Sequence, residues 1–201
     1  FDRRVLEVLR EPLENGRITI SRAARQADFP ARFQLVAAMN PCPCGYLGDS
    51  RHRCTCAPPE VARYRARVSG PLLDRIDLHV EVPAVKFRDI AAERTGDPSA
   101  QIRERVMAAR RIQHERFQGR PRITCNARMG TKELRAHCAL DETTLELLKV
   151  AMTDMNLSAR AYDRILKVAR TIADLAGSAR ITGDHISEAI GLRSLDRQIW
   201  G

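Results

Sequence analysis

Apolar residues near the start of the chain recur three or four positions apart, which is the spacing of one face of a helix. They are Phe1, Val5, Leu6, Val8, Leu9 and Leu13. Pro12 and the pair Asn15-Gly16 close the pattern, since such residues commonly end a helix. The segment therefore predicts an amphipathic helix, and because it begins without a capping residue we expect the chain to continue a longer one.

Short runs of β-branched and aliphatic residues predict strands after this helix. Residues 17–20 form the first strand, and residues 33–39 form a second that is apolar enough to be buried. A polar stretch with several arginines, residues 21–32, connects them and predicts a long hairpin or an inserted loop. Residues 60–67 predict a short helix, and residues 77–82 alternate between apolar and polar as in a further strand.

The pattern changes after Pro83 and is helical beyond Pro98. A segment ending in Thr95-Gly96-Asp97-Pro98 indicates a linker, because glycine and proline interrupt regular structure. Apolar positions then recur at helical spacing as Ile102, Val106 and Ala109, as Leu145, Leu148 and Met152, and as Leu157, Ala161, Ile165, Val168, Ile172 and Leu175. We expect Asp141 and Thr182 to cap helices and Gly177 to end one. The predicted fold class is α/β followed by α.

The net charge of +9 comes almost entirely from arginine, since the lysines are Lys86, Lys132, Lys149 and Lys167 alone. A guanidinium matches phosphate oxygens, so this excess is consistent with binding to nucleic acid or nucleotide. A genomic preference for arginine codons explains it equally well. No apolar run approaches the roughly 20 residues of a membrane span, and the charged N-terminus does not resemble a signal peptide. We therefore expect a cytoplasmic protein with no membrane partner.

Four cysteines form two pairs, Cys42-Pro-Cys44 and Cys54-Thr-Cys56. A cytosolic chain is not expected to carry a disulfide framework, and four thiolates from two pairs can close the tetrahedral site that zinc usually occupies. His52 is an alternative ligand in place of one thiol. Because a four-cysteine cage leaves no position for water, we predict a structural rather than a catalytic zinc. Free thiols on a flexible loop are the other interpretation.

Three stretches together resemble one family. A predicted strand ends in Met39-Asn40-Pro41, residues 69–77 read Ser-Gly-Pro-Leu-Leu-Asp-Arg-Ile-Asp, and residues 157–162 read Leu-Ser-Ala-Arg-Ala-Tyr. This succession resembles the Mg-chelatase-like AAA+ ATPases of bacteria, in the competence-type helicase branch with a four-cysteine insert. The resemblance covers essentially the whole chain and implies a C-terminal fragment that lacks the Walker A and Walker B motifs.

The resemblance also implies an architecture, the C-terminal half of an AAA+ αβα core followed by a helical lid domain. Residues 1–83 would be the second half of the core, with a pre-sensor-1 hairpin at 17–39, the cysteine loop at 40–59 and the arginine-finger segment at 69–82; residues 84–98 would be a linker and 99–201 the helical lid and C-terminal helical domain.

Residue by residue, the resemblance implies three nucleotide-sensing positions. Asn40 matches sensor 1, which orients the attacking water against the γ-phosphate, and Arg160 matches the lid arginine called sensor 2. Arg75 matches the arginine finger, which reaches the nucleotide site of the neighbouring subunit in a hexameric ring. ATP and Mg²⁺ would then be the cofactors of the full-length protein. Without the family, each arginine would be interpreted as a solvated surface charge.

The same resemblance places the predicted hairpin in the pore of the ring. Arg22 and Arg25, near its tip, are then candidates to hold a nucleic-acid backbone, since phosphate contacts need cations and little else. Phe29 is the one aromatic residue near the tip that offers a stacking platform, so backbone tracking is favoured over base reading. A solvated hairpin without a DNA role is the alternative.

The sequence contains no phosphate-binding loop of the form G-x-x-x-x-G-K-[ST] and no apolar strand ending in Asp-Glu. In the family both lie earlier, so we expect them before residue 1 and expect this fragment alone to be inactive. The function that follows is part of an ATP-dependent DNA motor or helicase in DNA uptake or recombination. The alternatives are a magnesium chelatase motor subunit, which in this family lacks the cysteine pairs, and a non-enzymatic zinc-stabilised DNA-binding module.

Overall fold

The protein is represented by a computed structural model, which describes residues 1–22, 25–83, 85 and 96–193. The chain divides into two compact units, one of residues 1–76 and one that begins at Asp77. The first combines short helices with a small sheet, and the described part of the second is helical. At this level the structure agrees with the predicted order of α/β followed by α.

Two short helices open the first unit, α1 (Arg3–Val8) and α2 (Arg10–Asn15). Asp2 caps α1 by accepting a hydrogen bond of 2.7 Å from the backbone N–H of Arg4. Gly16 ends α2 because it adopts φ +65°, a left-handed conformation that a residue with a side chain seldom takes. The predicted helix is thus present, but as two pieces, and the expectation that it begins without a capping residue is wrong.

A hairpin follows, formed by β1 (Arg17–Arg22) and β2 (Arg25–Pro30). The strands are antiparallel, with Ile18 opposite Phe29 and Arg22 opposite Arg25. The Thr19 hydroxyl also donates to the Asp28 carboxylate across the pair, at 2.7 Å. The second strand of the hairpin therefore ends at residue 30 and does not extend to residue 39. It lies within residues 21–32, which were predicted to be a connection.

Residues 33–39 and 77–82 are not strands, contrary to the sequence prediction. Their apolar side chains are largely in solvent, with Val36 84% and Val82 85% exposed. The only sheet among the described residues is the hairpin, so neither segment has a paired neighbour there. Apolar alternation indicates which side chains can face a core, whereas a strand also needs a partner for its backbone.

Two helices complete the first unit, α3 (Pro58–Arg65) and the single turn α4 (Gly70–Leu73). Prolines in the first turn of α3 cost nothing because the N–H groups there have no helical acceptor. The Ser69 hydroxyl caps α4 by accepting from Leu72 N at 3.3 Å. Leu72 and Leu73 are 3% and 5% exposed, so this turn is anchored in the interior.

The core of the second unit is formed around the helix Ala159–Leu175. Its described helices are α5 (Ser99–Arg116), α6 (Thr131–His137), α7 (Glu142–Asp154), α8 (Ala159–Leu175) and α9 (Gly183–Gly191), with a 3₁₀ turn at Asn126–Arg128. The predicted apolar stripe of α8 is confirmed over most of its length, since Ala161 and Ile165 are fully buried, but its last member, Leu175, is 49% exposed. Two predicted helix ends are confirmed, since Asp141 accepts from Thr144 N at 2.8 Å and Gly177, at φ +66°, follows the end of α8. Thr182 occupies the N-cap position of α9 as predicted, but without a side-chain capping hydrogen bond.

A buried polar cluster joins α5, the 3₁₀ turn and α8. Asp174 is 2% exposed and accepts hydrogen bonds from Arg116 (2.7 Å), Asn126 (2.8 Å) and Arg170 (3.1 Å). Burial raises the pKa of Asp174, but the hydrogen bonds from Arg116 and Asn126 outweigh it, so its pKa lies below the ordinary value. The carboxylate is thus the shared counterion of two arginines.

Replacing Asp174 by alanine is expected to destabilise this unit by about 3–5 kcal/mol, because the change leaves two guanidinium groups without their buried counterion. Urea denaturation monitored by circular dichroism measures the loss. Exposed Glu188 on α9 is the control, and its replacement by alanine should stay within about 0.5 kcal/mol of the parent. Because the folded pKa is lowered, the contribution is complete above the ordinary carboxyl pKa and is lost as pH falls below it. Equal stability of the two variants would contradict the assignment.

Most of the predicted linker, residues 84 and 86–95, lies outside the described residues, as do residues 194–201. None of the described helices is both long and apolar enough to cross a membrane.

Candidate functional site

The cysteine loop of residues 40–57 has little apolar content and is ordered by polar contacts. Asp49 accepts backbone hydrogen bonds from Arg51 (2.6 Å) and His52 (3.0 Å), which closes a turn. Gly45 and Gly48 adopt φ +85° and +83°, which allows the chain to reverse twice within a few residues. The loop thereby brings its two cysteine pairs together.

The four predicted thiols, those of Cys42, Cys44, Cys54 and Cys56, form one cluster. All four Sγ atoms lie within 4.8 Å of one another. Cys42 is 3.4 Å from Cys44 and 3.7 Å from Cys54, and Cys44 is 3.6 Å from Cys54. Four sulfurs placed 2.3 Å from a zinc ion would be about 3.8 Å apart along each tetrahedral edge. The cluster therefore fits zinc in both donor type and spacing.

Backbone N–H groups point at these sulfurs and favour thiolates. The pKa of Cys44 is lowered to about 5, chiefly by the N–H groups of Tyr46 and Thr55. The N–H of Cys44 donates in turn to the sulfur of Cys56, at 3.4 Å. That hydrogen bond lowers the pKa of Cys56, but desolvation and the neighbouring thiols outweigh it and raise the pKa to about 12. Four thiols this close cannot all ionise without a cation between them.

His52, the alternative ligand, lies outside the cluster. Its side chain is 58% exposed and its ring packs against Tyr46, with 4.8 Å between ring centroids. Among the described residues, the only group of side chains close enough to share an ion is the set of four cysteines.

Arg75, the predicted finger, is held against its own unit. Its guanidinium forms an ion pair with the Glu14 carboxylate and donates to the carbonyl oxygen of Pro71 at 2.6 Å. The Arg75 side chain is only 9% exposed. We expected this arginine to be presented outward, and in this structure it is instead folded inward.

Asn40 follows the exposed segment 33–39 rather than a buried strand, so its predicted position at the edge of a sheet is wrong for the described residues. Its side chain is exposed and turns towards Gly45, where a Cβ atom would lie 3.8 Å from the amide nitrogen. Asn40 therefore lies at the start of the cysteine loop, close to Gly45.

Arg160 lies in the first turn of α8, in the second unit, and is exposed. Ser158 caps this helix by accepting from Ala161 N at 3.1 Å. The N-terminus of a long helix favours an anion, because its free N–H groups and its dipole are positive there. An arginine at this point adds a charge suited to phosphate.

Arg22 and Arg25 lie directly opposite each other beside the hairpin tip, whose residues 23 and 24 are outside the described part. Like charges in that register repel one another, so the pair is unfavourable unless an anion lies nearby. On the same face Phe29 is 49% exposed. The hairpin thus carries a basic end and an aromatic side chain on one surface.

Two residues that were not predicted from the sequence contact a predicted position or a residue near one. Glu14 holds Arg75, and Asp77 pairs with Arg164 of α8. Glu14 had a detectable signal: it lies in the last turn of α2, where a carboxylate is unfavourable and no basic residue is present. The Asp77 pair joins residues far apart in sequence, and the local pattern gives no sign of it.

Comparison with known families covers nearly the whole chain. Residues 1–90 match the model described as magnesium chelatase, subunit ChlI, and residues 96–193 match the model of the ChlI C-terminal region.

Two relatives are similar over the same extent. Competence protein ComM of Haemophilus influenzae is 46% identical over 200 residues, which is 98% of this chain and 38% of that protein. The protein YifB of Escherichia coli is 42% identical over 201 residues, again 98% of this chain and 38% of the relative. The chain thus spans little more than a third of the length of these relatives.

Proposed function

This chain belongs to the Mg-chelatase-like family, and we propose that it is the C-terminal part of an ATP-dependent DNA motor that works as a homo-oligomeric, hexameric ring. The similarity to a competence protein over 98% of the chain is the observation that carries the proposal. Because that relative is much longer, the activity is proposed for the full-length protein and not for this fragment.

The residues of this chain would act on nucleotide that is bound mainly elsewhere. ATP with Mg²⁺ would supply the γ-phosphoryl group, which is transferred to water with ADP as the leaving group. Arg75 would donate two N–H groups to phosphate oxygens of a neighbouring subunit, where a guanidinium offsets the charge of the transition state. Asn40 would orient the attacking water, and Arg160 would sense the γ-phosphate from the N-terminus of α8.

Four cysteines would hold one structural zinc ion. The sulfur spacing and the N–H groups directed at Cys44 and from Cys44 to Cys56 support this part of the proposal. Zinc there would fix residues 42–56, and with them the position of Asn40 beside Gly45. A four-sulfur cage has no open coordination position, so the ion would not act on substrate.

The hairpin would contact DNA. Arg22 and Arg25 form an exposed pair of like charges, and a phosphate group between them would turn an unfavourable pair into two charge-assisted contacts. Phe29, on the same face, would give bases a surface to stack on without reading their sequence.

A magnesium chelatase subunit is the second candidate, since both matching family models carry that name. In the family resemblance, the cysteine pairs belong to the competence-type branch and not to magnesium chelatase. The four-cysteine cluster and the similarity to a competence protein therefore favour DNA as the substrate.

Replacing both Arg22 and Arg25 by alanine in the full-length protein is expected to weaken DNA binding. The negative slope of log affinity against log salt should become shallower by about 1.4–1.8, since each phosphate contact contributes about 0.7–0.9 to its magnitude. Fluorescence anisotropy with labelled DNA over a salt series measures both. The double variant of Arg103 and Arg110, exposed on α5, changes the net charge equally and is the control.

The same protein tests the motor itself. We expect ATP hydrolysis by the full-length protein to rise when DNA is added, and the hairpin variant to lose this stimulation. DNA binding without any ATP hydrolysis would indicate a binding module and overturn the proposal.

A further inference from the structure

Glu14 and Arg75 form a contact whose function the family resemblance does not explain. We propose that Glu14 is a positioning residue, which keeps the Arg75 guanidinium within its own subunit until a nucleotide phosphate of a neighbouring subunit replaces the carboxylate. The inference rests on the proposed role of Arg75. It adds a residue and a state that this role alone does not require.

The Arg75 guanidinium donates hydrogen bonds in this contact, but not from all of its N–H groups. One terminal nitrogen donates to Glu14, and the other donates to the carbonyl oxygen of Pro71 at 2.6 Å. The Nε atom of Arg75 is buried and has no hydrogen-bond partner among the described residues. Arginine has five N–H donors in a planar fork, and a phosphate offers three oxygens to it. A phosphate can therefore satisfy more of the donors than this resting contact does.

The carboxylate has its own reason to hold a cation. Glu14 lies in the last turn of α2, where the helix dipole is negative and the turn contains no basic residue. Arg75 places a positive charge beside this helix end, where the Arg32 side chain also packs over Gly16. The Glu14 side chain is 38% exposed, so water can solvate the carboxylate when the arginine leaves. The ion pair is thus favourable while no phosphate is bound, and breaking it costs little free energy.

The backbone around Arg75 is fixed, so release needs only a side-chain movement. Leu72 and Leu73 anchor α4 in the interior of the unit. The N–H of Arg75 donates to Leu72 O at 3.0 Å, and that of Ile76 donates to Leu73 O at 2.9 Å. These bonds continue the turn past the helix and hold the Cα of Arg75 in place. The guanidinium can then swing from Glu14 to an external phosphate without unfolding.

Replacing Glu14 by glutamine in the full-length protein tests the proposal. The amide keeps the size of the side chain and removes its charge, so Arg75 should be available to a neighbour more of the time. ATP hydrolysis should reach its half-maximal specific activity at a protein concentration about two- to fivefold lower, the range expected from losing a partly exposed ion pair. The kcat at saturating protein concentration should remain that of the parent.

Glu11→Gln is the matched control, because Glu11 is an exposed carboxylate on the same helix. It should leave the concentration dependence unchanged. Thermal unfolding of each variant separates loss of fold from loss of the contact. Should Glu14→Gln fail to fold, Glu14→Asp keeps the charge but withdraws it from Arg75, and it should shift the half-maximal concentration in the same direction.

The outcomes are distinct. An unchanged half-maximal concentration in the Glu14 variants, or a lower kcat at saturation, would overturn the positioning role. Arg75→Ala addresses the proposed function separately: if that variant hydrolyses ATP like the parent, the finger assignment fails whatever Glu14 does.

Discussion

Replacing Arg75 by alanine in the full-length protein is expected to lower kcat for ATP hydrolysis by about 10³-fold or more, since arginine fingers contribute roughly 10³–10⁵ to the rate. Alanine removes both the charge and the paired N–H donors that would meet the phosphate. Steady-state phosphate release at saturating ATP measures the effect. Size-exclusion chromatography shows whether the variant has the same oligomeric state as the parent.

Arg75→Lys is the informative companion. Lysine keeps the positive charge but lacks the planar fork, so we expect it to restore only a small part of the activity. If the assembled Arg75→Ala variant hydrolysed ATP within a few fold of the parent, the inward contact with Glu14 would be its only role, and the finger assignment would be wrong.

Zinc removal should have the second large effect. The loop of residues 40–57 has few apolar side chains to bury, and a structural zinc contributes about 10–16 kcal/mol of apparent binding free energy at pH 7. We expect one zinc per chain by elemental analysis. Cys42→Ser should lose it, because this buried residue lies on two of the short sulfur edges. Limited proteolysis should then cut within the loop.

The chain offers a matched control in Cys125, a half-buried cysteine outside the cluster. Its serine variant should retain one zinc per chain and resist proteolysis at the loop. Protein purified without chelator that contains well below one zinc per chain, or a Cys42→Ser variant that keeps a full equivalent, would contradict the metal site.

Helices of the second unit could be predicted because local patterns determine them. Ile165 lies in the apolar stripe of α8 and is fully buried, and the left-handed Gly177 follows the end of that helix. The cysteine cluster was predictable for a similar reason, since two cysteine pairs ten residues apart on one loop can easily come into contact. In these cases the sequence separation is small and the chemistry is specific.

The strands were harder to predict, because their partners are not encoded locally. Residues 33–39 are more apolar than residues 25–30, yet the latter pair with β1. The hydrogen bond between Thr19 and Asp28 supports that register, and hydrophobicity contributes little because every residue of β2 is exposed. An apolar pattern shows that a segment can be buried, but it does not show which backbone lies beside it.

Long-range ion pairs were equally hidden. Glu14 and Arg75 are 61 positions apart, and Arg116 and Asp174 are 58 apart. Each pair depends on how helices pack, and every residue involved has many possible partners of opposite charge. For this reason the family resemblance could assign a role to Arg75 but could not show that the arginine rests against its own subunit.

A mixing experiment tests most directly the central claim, that Arg75 acts on the nucleotide of a neighbouring subunit. Full-length Arg75→Ala protein is combined with full-length protein in which the phosphate-binding loop that the family resemblance implies has been inactivated. Each is inactive alone, but mixed rings bring an intact Arg75 next to an intact nucleotide site. We expect ATP hydrolysis to reappear in the mixture and to be greatest at intermediate ratios. No hydrolysis at any ratio, in rings shown to contain both proteins, would contradict it.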